Sequence, residues 1–306
     1  MYVVGKRCVL LSGLIVLQLR VKSSRLCSAV EEARRSLEKT RTPKNTLFTA
    51  QELDWFSRDT YNTAIRSLAK WTPSISLRIA SVCIRFLDLY RNSGGIDGST
   101  LAELSYRRML CVYLCAFVSV DLARLQDSTE LLQLHYLAAR RHIEDFRKNQ
   151  DLVRAKLPGT EAEDLGSKFP ALLGLDFEAA ARTKDWEALR GIVEEAVSLG
   201  GGDIISTFEY MADSLICSEA PSRIRLIVMQ AILDHTALEP MTNVAKLSGW
   251  VRTLVQLSVT KVSKVTETLL AEIVEIVKKR NETQSYPEGE IQWLAGIVTP
   301  AVLTCA

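Results

Sequence analysis

Residues 48–71, FTAQELDWFSRDTYNTAIRSLAKW, decide how the chain is read, because part of the stretch returns near the other end as YPEGEIQWL over residues 286–294. Pairing Phe48 with Tyr286, Glu52 with Glu290, Leu53 with Ile291, Trp55 with Trp293 and Phe56 with Leu294 puts an aromatic, a Glu, a branched aliphatic and a Trp at identical spacing. One helical unit is used twice. Thr49 and Glu52 form a capping box, in which the hydroxyl accepts from the Glu52 amide and the carboxylate accepts from the Thr49 amide, so a helix starts at about Ala50. Leu53, Phe56, Thr60, Ala64 and Leu68 then share one face, which Trp55, Ile65 and Ala69 widen. Pro73 pushes Thr72 out of the helical region, which ends the helix near Trp71. Core packing is the expected work of Trp55 and of its counterpart Trp293.

The same 3.6-residue period runs through the rest of the chain and no strand pattern interrupts it. Segments 3–20 and 24–40 read as a first helical pair. The helix at 74–90 follows, with Leu77, Ala80, Ile84 and Leu87 or Phe86 inside. After the loop NSGGIDGS at 92–99, Ser99 starts a long helix to Leu125 that is apolar all round from Met109 to Val120, as suits a helix flanked on both sides. Ser128 caps the next, with Leu131, Leu134, Tyr136, Ala138, Ile143 and Phe146 inside. LPGTEAEDLGSK at 157–168 reads as an acidic connector leading into a hairpin from Phe169 to Leu199. Its turn resembles a tetratricopeptide turn, with Trp186 opening the second helix and Leu189 and Ala196 as its contacting residues, although the first helix lacks the Trp-Leu-Gly signature. Gly200 to Gly202 close the hairpin as a glycine cap. Helices at 203–217, 221–235, 240–259 and 262–280 complete about twelve. Short turns make sequential helices antiparallel neighbours, so the expected fold is all-α: a single α-solenoid of divergent tetratricopeptide-like hairpins over 1–306, with a less regular helical pair at 1–47 and an atypical tail at 296–306.

Composition fits a folded chain: 306 residues, 47% hydrophobic, 24% charged. The net charge is +2, yet residues 1–150 hold 23 Lys/Arg against 14 Asp/Glu and residues 151–306 hold 15 against 22. No dense basic cluster interleaved with aromatics marks a nucleic-acid surface, so direct nucleic-acid binding is not expected. The basic residues Arg140, Arg141, Arg147 and Lys148 are the candidate surface for an acidic partner, with Glu144 and Asp145 as the neighbours that would balance them. The apolar run from Cys8 to Leu19 imitates a signal-peptide core, but it is too short to span a bilayer and Arg20, Lys22 and Arg25 follow without a small-residue cleavage site, so it reads as a buried helix. No membrane segment is expected. The seven cysteines lie mostly in apolar helical runs and read as buried thiols. Cys111 and Cys115 are one turn apart, but no second Cys or His pair stands at zinc spacing and His135, His142 and His235 are isolated, so no metal is expected. No phosphate loop, nucleophile elbow, HExxH or EF-hand loop occurs. The residues offer no catalytic set, cofactor site or small-molecule substrate site.

Five blocks together look like fungal members of the Zip-four/Spo-twenty-two family of meiotic TPR-like proteins. They are FTAQELDWFSRDTYNTAI, LGLDFEAAARTKDWEALRGIVEEA, YMADSLICSEAPSRIRLIVMQAIL, LSGWVRTLVQLSV and YPEGEIQWLA, spanning Phe48 to Ala295. The resemblance implies a nuclear, chromosome-associated helical scaffold that promotes synapsis and crossover recombination by binding other meiotic proteins of the chromosome axis or the crossover machinery. It carries over no catalytic residue. The competing expectation is a general tetratricopeptide-like adaptor of the chaperone or transport kind. After Ala295 the chain departs from the family pattern with GIVTPAVLTCA, as a truncated or misassembled product would. That ending predicts an exposed apolar patch around Trp293, and hence Trp293 as a further candidate contact residue.

Overall fold

A computed structural model describes residues 49–67, 71–200, 204–237, 243–259, 271–279 and 286–304. The expected helical pair at 1–47, the run from Cys8 to Leu19, Cys27, Cys305 and the side chains beyond Ile297 lie outside the described residues. Among these, every regular element is an α-helix and none is a strand, so the all-α reading holds. The chain divides into two compact units, Met1–Leu172 and Leu173–Ala306.

The first unit contains α1 (Ala50–Ser67), α2 (Pro73–Arg91), α3 (Gly98–Arg124), α4 (Thr129–Arg154) and the start of α5 (Gly159–Arg182). The capping box of α1 forms as expected: the Thr49 amide donates to Glu52 Oε2 at 2.8 Å and the Glu52 amide donates to Thr49 Oγ1 at 3.3 Å. Leu53, Phe56, Thr60 and Ala64 are buried, while Trp55 is half-buried and Ile65 exposed. Phe56 stacks on Phe86 of α2 with ring centroids 5.2 Å apart. Pro73 occupies the first turn of α2, with Thr72 extended before it.

Two starts differ from the sequence reading. The cap of α3 is Asp97, whose carboxylate accepts from the Ser99 and Thr100 amides. A carboxylate outcompetes the Ser99 hydroxyl because it carries full charge at the positive end of the helix. Residues 159–168 are not a connector but the first turns of α5, which runs through Pro170. Gly159 has open space around it, whereas two later glycines of α5 face neighbours. A Cβ at Gly166 would come within 3.1 Å of the Arg154 guanidinium, and one at Gly174 would come within 3.1 Å of the Tyr210 ring.

The buried stripe of α4 is Tyr136, Ala139, Ile143, Phe146 and Gln150. Leu131 and Leu134, expected inside, are exposed together with Leu137. The stripe follows the aromatic and β-branched residues, and Phe146 stacks on Phe169 of α5 at 6.1 Å.

The second unit contains the rest of α5, then α6 (Trp186–Leu199), α7 (Ile204–Ile216), α8 (Ser222–Thr236), α9 (Val244–Val259), a helical stretch at 271–279 and α10 (Glu288–Thr304). Each of α6 to α9 packs on the next, α8 also meets α6, and α9 meets α7 and α10. The turn into α6 lies at the expected place, as a Schellman closure: the Asp185 amide donates to Ala180 O at 2.9 Å and the Lys184 amide to Ala181 O at 3.3 Å. Lys184 holds the left-handed position at φ 61° that glycine favours. Leu189 and Ala196 are buried as expected, but Trp186 is only half-buried. The tryptophan of the core is Trp250 on α9. Gly200, at φ 63°, ends α6.

Candidate interaction surfaces

Two of the four basic residues of α4 share a carboxylate. Arg147 Nη1 donates to Glu144 Oε2 at 2.6 Å, and Lys148 Nζ reaches Glu144 Oε1 at 3.2 Å. One carboxylate thus takes two cations, and the Arg147 hydrogen bond above all holds Glu144 below the usual carboxylate range. Arg140 is half-buried and itself partnered, and Arg141 is exposed. Asp145, the other expected counter-charge, turns the opposite way. It accepts from Arg108 of α3 at 2.9 Å, and Arg108 also donates to Asp88 of α2 at 2.8 Å. Burial works against the charge on Arg108, but these two carboxylates outweigh it and raise its pKa. The arginine is therefore a tie between α2, α3 and α4. His142 lies in the same region, and burial lowers its pKa, with Arg108 adding to the effect and Asp145 opposing it.

A second polar seam joins α3 to the start of α5. Tyr106 donates to Asp164 Oδ2 at 2.7 Å, and Lys168 Nζ donates to Asp164 Oδ1 at 2.6 Å. The Lys168 bond, then the Tyr106 bond, keep Asp164 ionised to lower pH than a free aspartate. Beside this seam Arg107 lies 5.7 Å from the Tyr61 ring centroid, and burial pushes the Tyr61 phenol up to about 12. Cys83, Cys111 and Cys115 are buried, as read from the sequence. The Cys83 contact and burial raise the Cys111 thiol, and burial pushes Cys115 up to about 12. Such thiols are poor nucleophiles and poor ligands at neutral pH. Cys217, in contrast, is exposed. Among the described residues no group of three or more His, Cys, Asp and Glu could hold a metal, and no helix is long and apolar enough to cross a membrane.

In the second unit Arg252 of α9 donates to Glu290 of α10 at 2.9 Å and lies 4.5 Å over the Trp293 ring. The expected patch around Trp293 therefore takes a different form. Trp293 is half-buried beneath a guanidinium, Leu294 is buried, and Ile291 and Ile297 are half-buried. Nearby, Trp250 Nε1 donates to Asp213 at 3.2 Å, and Lys246 bridges Asp213 and Glu209 of α7.

One concavity was not foreseen. Between the start of α2 and the middle of α3 lies a cavity of about 340 Å³ lined by Pro73, Ser76, Tyr113, Leu114, Phe117, Val118 and Asp121. The period-3.6 pattern on α3 placed Phe117 in an all-round apolar run, which concealed its 43% exposure. Comparison with protein-family models, with curated proteins and with solved structures gave no match.

Proposed function

We propose that the chain is a non-enzymatic scaffold, an α-solenoid of divergent tetratricopeptide-like hairpins that serves synapsis and crossover recombination on meiotic chromosomes through protein–protein contacts. The observation that carries this reading is the set of sequence blocks between Phe48 and Ala295 that resemble the Zip-four/Spo-twenty-two proteins. Helices that pack on their sequence neighbours within each unit support it, because repeats of helical hairpins are built that way. Its partners are then chromosome-axis or crossover proteins, and its place is the nucleus. Affinity purification of the tagged chain from cells in meiosis, followed by mass spectrometry, tests the reading. Enrichment of axis or synapsis proteins, with foci on spread meiotic chromosomes, is the expected result. Enrichment of chaperones or transport factors in vegetative cells, with no chromosomal foci, overturns it in favour of a general adaptor.

A further inference from the structure

Helix α4 carries two apolar strips, of which one is buried and the other faces solvent. Tyr136, Ala139, Ile143 and Phe146 are buried, whereas Leu131, Leu134 and Leu137 are 45%, 56% and 43% exposed. Single exposed leucines are ordinary on a surface. Three within two turns of one helix make a contiguous patch, and such patches mark contact sites.

The residues that extend the exposed strip decide its occupant. Glu130, Leu134, Leu137 and Arg141 follow one another at steps of four, three and four, the spacing of a helix–helix seam, and Leu131 widens it. Asp127 and Glu130, both exposed, stand before the leucines, and Arg141 and Lys148, also exposed, stand after them. Glu130 accepts from the Ser128 hydroxyl on one carboxylate oxygen at 2.8 Å, and Lys148 shares Glu144 with Arg147. The strip is therefore acidic at one end, apolar in the middle and basic at the other. An anionic lipid surface would attract the basic end and repel the acidic one. A strip polarised in this way is complementary to itself when turned end for end.

We propose that α4 docks on the α4 of a second copy of this chain, antiparallel, about a two-fold axis midway between positions 134 and 137. Leu134 then faces the second copy's Leu137 and Leu137 its Leu134, while Glu130 faces its Arg141 and Arg141 its Glu130. Four leucines form the centre, and two opposite-charge pairs close the ends. A parallel pairing on the same strip sets Glu130 on Glu130 and Arg141 on Arg141, so charge selects the antiparallel register. The interface is closed and isologous, which limits the assembly to a dimer. The seam is short and belongs with weak associations burying less than about 1,200 Å². A dissociation constant of about 10–100 µM is expected.

Sedimentation velocity on the full purified chain, from about 5 to about 200 µM, reads the association directly. A concentration-dependent monomer–dimer equilibrium is the expected result. Leu134→Gln should weaken it by at least about tenfold, because a two-fold interface loses each contact twice. Arg141→Glu opposes two carboxylates at each end of the seam and should weaken it about tenfold. Combining Arg141→Glu with Glu130→Arg exchanges the charges and should restore the dimer to within about threefold of the original, which a merely structural role for either residue would not produce. All three positions are exposed, so the melting temperature of each variant should stay close to that of the original chain. A chain that remains monomeric over this range overturns the proposal. So does a dimer that survives Leu134→Gln, since the copies then meet elsewhere, or a double variant no better than Arg141→Glu alone. Self-docking through α4 is independent of the meiotic reading, and neither outcome bears on the co-purification.

Discussion

Replacing Trp250 with alanine should be the most damaging single tryptophan substitution among the described residues. The side chain is 2% exposed on α9, where it packs against the buried faces of the second unit. An indole buries about 150–250 Å², which at about 25 cal/mol/Å² corresponds to roughly 4–6 kcal/mol. Measured large-to-small substitutions of this kind cost about 3–5 kcal/mol. The hydrogen bond from Nε1 to Asp213 adds little, because Asp213 is 50% exposed and water replaces the lost donor. A loss of about 4 kcal/mol is therefore expected, against a total of about 5–15 kcal/mol for a typical protein. With a urea slope of about 2 kcal/mol/M the midpoint should fall by roughly 2 M. Urea titration followed by circular dichroism reads the shift, and hydrogen exchange reads its location, with protection lost across α7, α8 and α9. Trp55→Ala and Trp186→Ala, at half-buried sites, should cost about half as much. If Trp250→Ala moves the midpoint no further than either of these, burial does not rank the tryptophans and the packing of α9 described above is wrong.

Other substitutions separate backbone, ionic and pH effects. Arg108→Leu removes the tie from α3 to Asp88 and Asp145 and should cost about 1–2 kcal/mol in a thermal or urea melt, below the 3–5 kcal/mol of a fully buried pair because both carboxylates remain partly hydrated. Lys184→Gly relieves a left-handed residue and should stabilise by about 1 kcal/mol, since the pair with Glu219 that it removes is exposed; Lys184→Val should destabilise. The first unit should lose stability on acidification. His142 has a lowered pKa when folded, so the unfolded state binds the proton first; its contribution is present above the unfolded value near 6.5 and is lost as pH falls below it. Glu144 and Asp164, also lowered, add losses below about 4.5 and 3.8. His142→Gln should remove the first step from the pH dependence of the melting temperature and leave the second. Under native conditions, peptide mapping after maleimide treatment should show Cys217 modified rapidly and Cys83, Cys111 and Cys115 protected.

The helices were legible because their signals are local. The box at Thr49 and Glu52, the serine at 128 and the turn before Trp186 each specify a boundary from a few adjacent residues, and each boundary lies where those residues put it. The failures have a common cause. Pro158, Gly159 and Gly166 suggest a connector when read locally, yet α5 starts at Gly159 and Gly166 faces the Arg154 side chain of the preceding helix. The face of α4 shows the same thing. Leucines at 131, 134 and 137 are as apolar as Tyr136 or Ile143, and only the neighbouring helices decide which of two overlapping stripes is inside.

The charge pattern of α4 was legible in part: Glu144 balances Arg147 and Lys148 as its spacing suggests, whereas Asp145 does not. Arg140, Arg141, Arg147 and Lys148 look like a patch in a linear string, but Glu144 neutralises two of them from one turn away while Asp145 is drawn inward by Arg108. Arg147 and Lys148 therefore share one carboxylate, and Arg141 stays exposed. Trp293, half-buried, likewise has the Arg252 guanidinium 4.5 Å over its ring. The α2–α3 cavity differs. Its Phe117 ring is exposed and its Asp121 carboxylate holds a surface ion pair with Arg124, while the Ser76 hydroxyl is sealed from solvent behind it. Nothing in the sequence singles out Ser76, because a serine in an amphipathic helix is ordinarily bonded to a carbonyl one turn back, as Thr60 is to Phe56.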